Sequence, residues 1–205
     1  MKNLVKILTL ATFTLMISSA AFAELKPATH SGFYIGLGVG VGSLNLEYDN
    51  VDEDFDIFSD SETGGAGNFR IGGALSNKVL FGFEGNAWVK DYDVAFGRDI
   101  YPTQVTVSNA AAVITYYPTQ YFFIKGGPAI GIAEIDIESP GSSLNYHDEA
   151  TGGGVMLGLG GELRLTKKFA LVPSAQWMWQ KIELDDFEDL KANFFSVTLG
   201  VGWFW

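Results

Sequence analysis

The chain has 205 residues, 24 acidic side chains against 13 basic ones, and no cysteine. A formal charge of −11 at pH 7 argues against a nucleic-acid partner, because phosphate recognition needs a basic footprint. Without cysteine there is no disulfide framework, thiolate metal site or cysteine nucleophile.

Residues 1–23 carry Lys2 and Lys6, an apolar run from Ile7 to Ile17, and the small-residue pattern Ala21-Phe22-Ala23. This predicts a Sec signal peptide cleaved between Ala23 and Glu24, leaving residues 24–205 as a single domain. The apolar run is about half the ~20 residues a spanning helix needs. No later segment reaches that length without a Gly or a charge, so the pattern is not that of a helical membrane protein.

After the signal the hydrophobic period is two, the spacing of a strand with two unlike faces. Strand one sets Phe33, Ile35, Leu37, Val39 and Val41 against Gly36, Gly38, Gly40 and Gly42. Strand two, Gly67 to Leu75, sets Phe69, Ile71 and Leu75 against Asn68, Arg70, Gly72 and Ala74. A tight turn at Ser76-Asn77-Lys78 leads to strand three, with Val79, Phe81, Phe83, Ala87 and Val89 opposite Gly82, Glu84, Asn86, Trp88 and Lys90. Strand four, Thr103 to Tyr117, has two mildly apolar faces, and its facing stays open. Beyond Pro118-Thr119-Gln120, strand five sets Phe122, Ile124, Ile130 and Ile132 against Phe123, Lys125, Gly127, Ala129 and Gly131. Strand six sets Val155, Leu157, Leu159, Leu163 and Leu165 against Met156, Gly158, Gly160, Glu162 and Arg164. After Thr166-Lys167-Lys168, strand seven sets Phe169, Leu171, Ala175, Trp177 and Trp179 against Ala170, Val172, Ser174, Gln176 and Gln180. Strand eight ends the chain, with Phe195, Val197, Leu199, Val201, Trp203 and Trp205 opposite Ser196, Thr198, Gly200 and Gly202.

Eight strands of roughly ten residues suit tilted crossings of a lipid layer. They predict an all-β fold, an eight-stranded antiparallel up-and-down transmembrane barrel closed by pairing the last strand with the first. Closure matters because a sheet edge in lipid leaves N–H and C=O groups with no water to satisfy them. Three tight turns alternate with four longer connections, about Glu47–Ala66, Asp91–Pro102, Glu138–Gly152 and Glu183–Asn193, the pattern of periplasmic turns and external loops. A soluble periplasmic barrel would charge its second face richly; here that face is Gly, Ala and Ser with single charges. Tyr34, Tyr48, Tyr116, Tyr117, Tyr121, Phe169, Trp177, Trp179, Trp203 and Trp205 are the expected interfacial aromatics.

The signal peptide, the FYIGLGVGVG and YFFIKGGPAIGIA strands and the VTLGVGWFW ending resemble the small outer-membrane β-barrel superfamily, which includes the OmpA transmembrane domain, OmpX and OmpW-like proteins. The resemblance covers nearly the whole mature chain. It implies an integral place in the cell outer membrane after Sec export, and insertion by the barrel-assembly machinery with Trp203, Phe204 and Trp205 as its signal. The final Trp replaces the family's more frequent Phe. Lipid and lipopolysaccharide are the implied surroundings.

Chemistry-bearing residues are few. His30, next to Ser31, is expected to be solvated at the periplasmic rim. His147 lies near Ser142, Ser143, Asp148 and Glu149 in a Gly- and Ser-containing loop, which offers poor support for a catalytic triad. Lipid A deacylases carry a strand His-x-Ser element that Gln176-Trp177-Met178-Trp179 lacks, and the His-bearing strand of the omptin proteases has no counterpart. No catalytic residue, cofactor or metal ligand is therefore assigned. The first loop gathers Glu47, Asp49, Asp52, Glu53, Asp54, Asp56, Asp60 and Glu62. Asp52, Asp54 and Asp56 imitate a calcium loop, but Ile57 and Thr63 replace its Gly and Glu, so the block reads as a solvated, self-repelling external loop. Arg70, Glu84, Lys90, Lys125, Glu162 and Arg164 are expected to share the lumen as an ion-pair network that plugs it. The resulting expectation is a non-enzymatic barrel serving envelope structure, or binding a host or surface ligand through its acidic loops. A narrow pore for small or apolar solutes is the second reading, and a lipid-modifying enzyme the third.

Overall fold

The computed structural model describes residues 30–48, 61–96, 99–137, 146–183 and 190–205, with backbone alone for 47–48, 93–100, 137, 146–148 and 183. The strands are β1 Phe33–Tyr48, β2 Glu62–Ser76, β3 Val79–Phe96, β4 Asp99–Tyr116, β5 Phe122–Ile137, β6 Tyr146–Gly161, β7 Leu163–Arg164, β8 Phe169–Glu183 and β9 Leu190–Phe204. Each pairs antiparallel with its neighbours; β1 joins β9, and β6 joins β8, so the sheet closes. It is an eight-stranded barrel with one additional short strand.

That short strand is a continuation. The β6–β8 ladder lapses after Gly160↔Ser174 and resumes in the same register at Leu163↔Leu171 on β7. The gap lies opposite Pro173, which has no N–H to give, while on the other side the Glu162 N–H carries the β5–β6 register on to the Tyr121 carbonyl at 2.8 Å. A second lapse, between Ala111↔Ala129 and Ile114↔Gly126, falls beside Pro128 for the same reason.

The apolar alternation lands where the period places it. Leu37, Val39, Phe83, Ile130, Leu157 and Leu199 are exposed on the outer face, as a lipid-facing belt requires. At the end bearing the short turns, Phe33 stacks near Trp205 and Phe169 near Trp203, with ring centroids 5.7 and 5.0 Å apart. Two expected girdle residues are elsewhere: Tyr34 and Tyr117 point inward and are buried. Their neighbours explain it, since Gly72 and Gly82 leave a hollow into which the Tyr34 ring fits.

Strand four resolves inward through Thr103, Val105, Val107, Asn109, Ala111, Val113 and Thr115, leaving Ala110 and Ile114 outside. Its valines are therefore lumen residues. The strands are also longer than a lipid crossing. β3 and β4 remain paired to Phe96↔Asp99, and β5 and β6 to Ile137↔Tyr146, so much of what the sequence suggests as loop is ladder. A hairpin can lengthen past the hydrocarbon because its backbone bonds form equally well in water; there Gln104 donates to Asp91 Oδ1 at 2.9 Å. At the opposite end, Thr119 and Thr166 hydroxyls accept the N–H groups of Phe122 and Phe169 at 3.1 and 3.0 Å, fixing the tight turns.

A Cβ at Gly82 would lie 2.8 Å from the Tyr34 hydroxyl and closer still to the Ile71 carbonyl, whereas one at Gly153 would meet nothing within 4 Å. Gly82→Val is expected to lower stability by about 1–3 kcal/mol through overpacking, and Gly153→Ala to change it by less than about 0.5 kcal/mol. Urea unfolding of the barrel in detergent, followed by tryptophan fluorescence, measures both.

Candidate functional site

The lumen has three levels, of which the mouth and the middle hold the buried ionisable groups. At the short-turn end Gly32, with φ at +87°, bends the chain before β1 across the barrel mouth; its carbonyl accepts the Ala74 N–H at 2.8 Å. A side chain there would be strained and would collide with the Trp205 carbonyl, so glycine is the residue that permits the bend. The bend delivers His30 into the mouth, where it is only 2% exposed. The expected solvated role is corrected: Nδ1 lies 3.1 Å from the Asn77 carbonyl, Nε2 lies 3.1 Å from Glu162 Oε2, and the ring sits 3.9 Å from that of Tyr117. The sequence cue was Gly32, two residues on, not the histidine itself.

Glu162 is the centre of this level. Arg164 Nε donates to its Oε1, while the Tyr117 hydroxyl donates to its Oε2 at 2.7 Å. The Tyr117 hydroxyl, buried against this carboxylate, acts as a donor to it. Arg164 also donates to the Lys167 carbonyl at 3.1 Å, and its guanidinium lies 3.6 Å over the Phe204 ring.

The middle level centres on Glu84 and Lys125. Lys125 Nζ donates to Glu84 Oε2 at 2.7 Å and to Gln176 Oε1 at 2.9 Å. Gln176 donates in turn to Asn86, and Asn86 to Asn109 Oδ1 at 3.1 Å. On the other wall Asn68 donates to Thr198 Oγ1 at 3.0 Å, and Thr198 is 2.9 Å from the Ser174 hydroxyl. The result is a polar belt across the barrel. Arg70, opposite Glu84 in register, lies 5.7 Å over the Phe123 ring.

Toward the loop end the interior is apolar. Leu44, Leu46, Trp88, Val105, Val107, Val113, Met156, Met178, Ile182 and Phe194 form one cluster. Trp88 is fully buried, its indole N–H donating to the Gly42 carbonyl at 3.1 Å. A lumen of small and singly charged residues was the expectation; this cluster departs from it. Its sequence signal is that the small-residue face of β1 turns to Leu44 and Leu46 after Gly42, a change of composition at constant period.

The six predicted lumen charges are thus divided. Glu162 and Arg164 meet at the mouth, and Glu84 and Lys125 meet in the middle with Arg70 beside them. Lys90 stands apart: it pairs with Glu62 near the loop end, partly exposed and 4.7 Å over Tyr92. Its distance along β3 from Glu84 carries it beyond the belt. Of the terminal aromatics, Trp203 faces outward on Phe169, Phe204 lies beneath Arg164, and the Trp205 N–H donates to the Phe33 carbonyl at 2.9 Å. Asp49, Asp52, Glu53, Asp54, Asp56 and Asp60 lie outside the described residues, as do Ala23 and Glu24. So do Ser142 and Ser143, while His147 is placed by its backbone alone, opposite Asp136 in the β5–β6 register. Among the described residues no three His, Asp or Glu side chains gather as a metal site.

The outer membrane protein beta-barrel domain model matches residues 9–202. The chain belongs to that family. It is an integral outer-membrane protein of the Gram-negative type, and its short-turn end faces the periplasm by the family's topology. No curated protein matches the chain. Among solved structures, neisserial surface protein A aligns with a TM-score of 0.52 at 12% identity, over 85% of this chain and 98% of that one. Ail, the attachment invasion locus protein of Yersinia pestis, in complex with the heparin analogue sucrose octasulfate, aligns with a TM-score of 0.50 at 13% identity, over 84% and 98%. OprG of Pseudomonas aeruginosa aligns with a TM-score of 0.47 at 14% identity, over 86% and 97%. At these identities the likeness is one of fold.

Removing one partner of a buried ion pair leaves the other charge uncompensated. Glu84→Gln is therefore expected to destabilise this outer membrane beta-barrel by about 3–5 kcal/mol, with most of the loss recovered in Glu84→Gln/Lys125→Met. Equilibrium urea unfolding of the two variants tests the pair.

Proposed function

We propose that this protein is a non-enzymatic outer-membrane barrel whose lumen is structural and whose acidic external loops do its work, in envelope structure or surface interaction. The observation that carries this reading is a filled interior. A mouth closed by His30, Glu162 and Arg164, a polar belt across the middle and an apolar cluster above it occupy the lumen in succession. At the mouth, a cavity of about 10 Å³ is left, enough for roughly one water. His30 is spent on this closure, which leaves no described imidazole free for general-base work.

The acids between Glu47 and Glu62 give the first loop a single sign. A cationic surface partner, or a divalent cation bridging the loop to anionic lipopolysaccharide, fits that sign. Ail is described in complex with sucrose octasulfate, an anionic ligand; the loop of this chain selects the opposite charge. A narrow path for apolar solutes is the second reading, supported by the apolar outer half of the lumen with its adaptable Met156 and Met178.

Planar-bilayer recording of the refolded protein is expected to show no stable conductance step; reproducible channels would favour the second reading. Deleting residues 49–60 is expected to abolish binding of a cationic peptide probe to cells while leaving the heat-modifiable gel shift of the barrel unchanged. Retained binding would remove the loop's role.

A further inference from the structure

Three cationic side chains, Arg70, Lys125 and Arg164, are buried in the lumen together with two carboxylates, Glu84 and Glu162. Lys125 takes Glu84; Arg164 takes Glu162, which His30 also contacts. Arg70 makes no ion pair among the described residues. It is only 8% exposed, and its Nε–H has no hydrogen-bond acceptor. The Phe123 ring beneath it offers a quadrupole but no lone pair to that N–H. A guanidinium left so in a water-poor interior is costly, and no carboxylate among the described residues forms an ion pair with it: Glu84, its neighbour across the β2–β3 ladder, is taken by Lys125.

The space beside Arg70 is built for a small occupant. Arg70 lines the cavity of about 10 Å³ at the mouth, together with Tyr34 and Thr115, whose hydroxyls are further donors. Gly36 lines it too, and a Cβ there would lie 3.6 Å from Arg70 Nε, so the missing side chain keeps the approach to that N–H open. Glu162 is also on the lining, but His30, Tyr117 and Arg164 engage its oxygens. The volume excludes a phosphate or a carboxylate-bearing metabolite and admits one sphere of about the size of a water molecule.

We propose that this cavity binds a single monovalent anion of the halide class, held by Arg70 Nε–H and the hydroxyls of Tyr34 and Thr115. The ion balances the unpaired guanidinium and forms part of the folded interior. Crystals of the refolded barrel grown in sodium bromide are expected to show an anomalous bromide peak at hydrogen-bond distance from Arg70 Nε. At constant ionic strength, the unfolding midpoint is expected to be higher in chloride than in gluconate, an ion too large for the cavity. At ten times the dissociation constant the folded-to-unfolded ratio rises about elevenfold. Arg70→Met is expected to abolish the difference between the two salts. Gly36→Ala, which narrows the cavity and leaves Arg70 in place, is expected to shrink it, so the test survives if Arg70→Met fails to fold. A water in the cavity with no bromide peak, together with equal midpoints in the two salts, overturns the proposal.

Discussion

Hydrocarbon offers no hydrogen-bond partner to a peptide group, and the whole architecture depends on that. Every strand crossing the membrane must pair on both sides, which the sheet achieves by joining β1 to β9 and β6 to β8. The same demand explains the treatment of the two strand prolines. Where Pro128 and Pro173 withhold a donor, the ladder lapses for two residues and then resumes in unchanged register. Across the span the register must hold, because a slip of one residue there would turn every lipid-facing side chain inward; the shift in the β2–β3 pairing falls at Ala74/Ser76, beside the tight turn.

Closing eight strands leaves an interior only wide enough for side chains, so the lumen is a core that happens to contain charges. Its energetics differ by level. The apolar cluster toward the loops is held as a soluble core is, by packing of Trp88, Phe194, Met156 and Met178. The belt and the mouth depend on mutual satisfaction: Glu84 without Lys125, or Glu162 without its three partners, would be a charge with neither water nor counter-ion. Arg70 is the buried cation that this satisfaction leaves without an ion pair among the described residues.

This division bears on function. Among the described residues the lumen is filled by side chains and His30 is engaged by Glu162 and the Asn77 carbonyl, which is the support for placing recognition, as proposed, in the acid-rich sequence of the first loop. The long β3–β4 and β5–β6 hairpins extend the ladder toward the loop end, to Phe96↔Asp99 and Ile137↔Tyr146.

Period-two alternation was enough to read the strand number, the antiparallel order, the lipid-facing residues and the closing pair, because lipid imposes one rule on every outer position. The acids and bases of the interior were also legible as inward-facing. What the sequence could not carry was which of them meet. Whether Lys90 joins Glu84 or Glu62, whether strand four turns its valines in, and whether His30 is solvent-bathed or buried all depend on height in the barrel and on contacts more than 20 residues apart. Local pattern determines the face of a side chain, since that depends on the backbone alone; its partner depends on strand stagger and on a bend such as that at Gly32, which only the closed barrel defines.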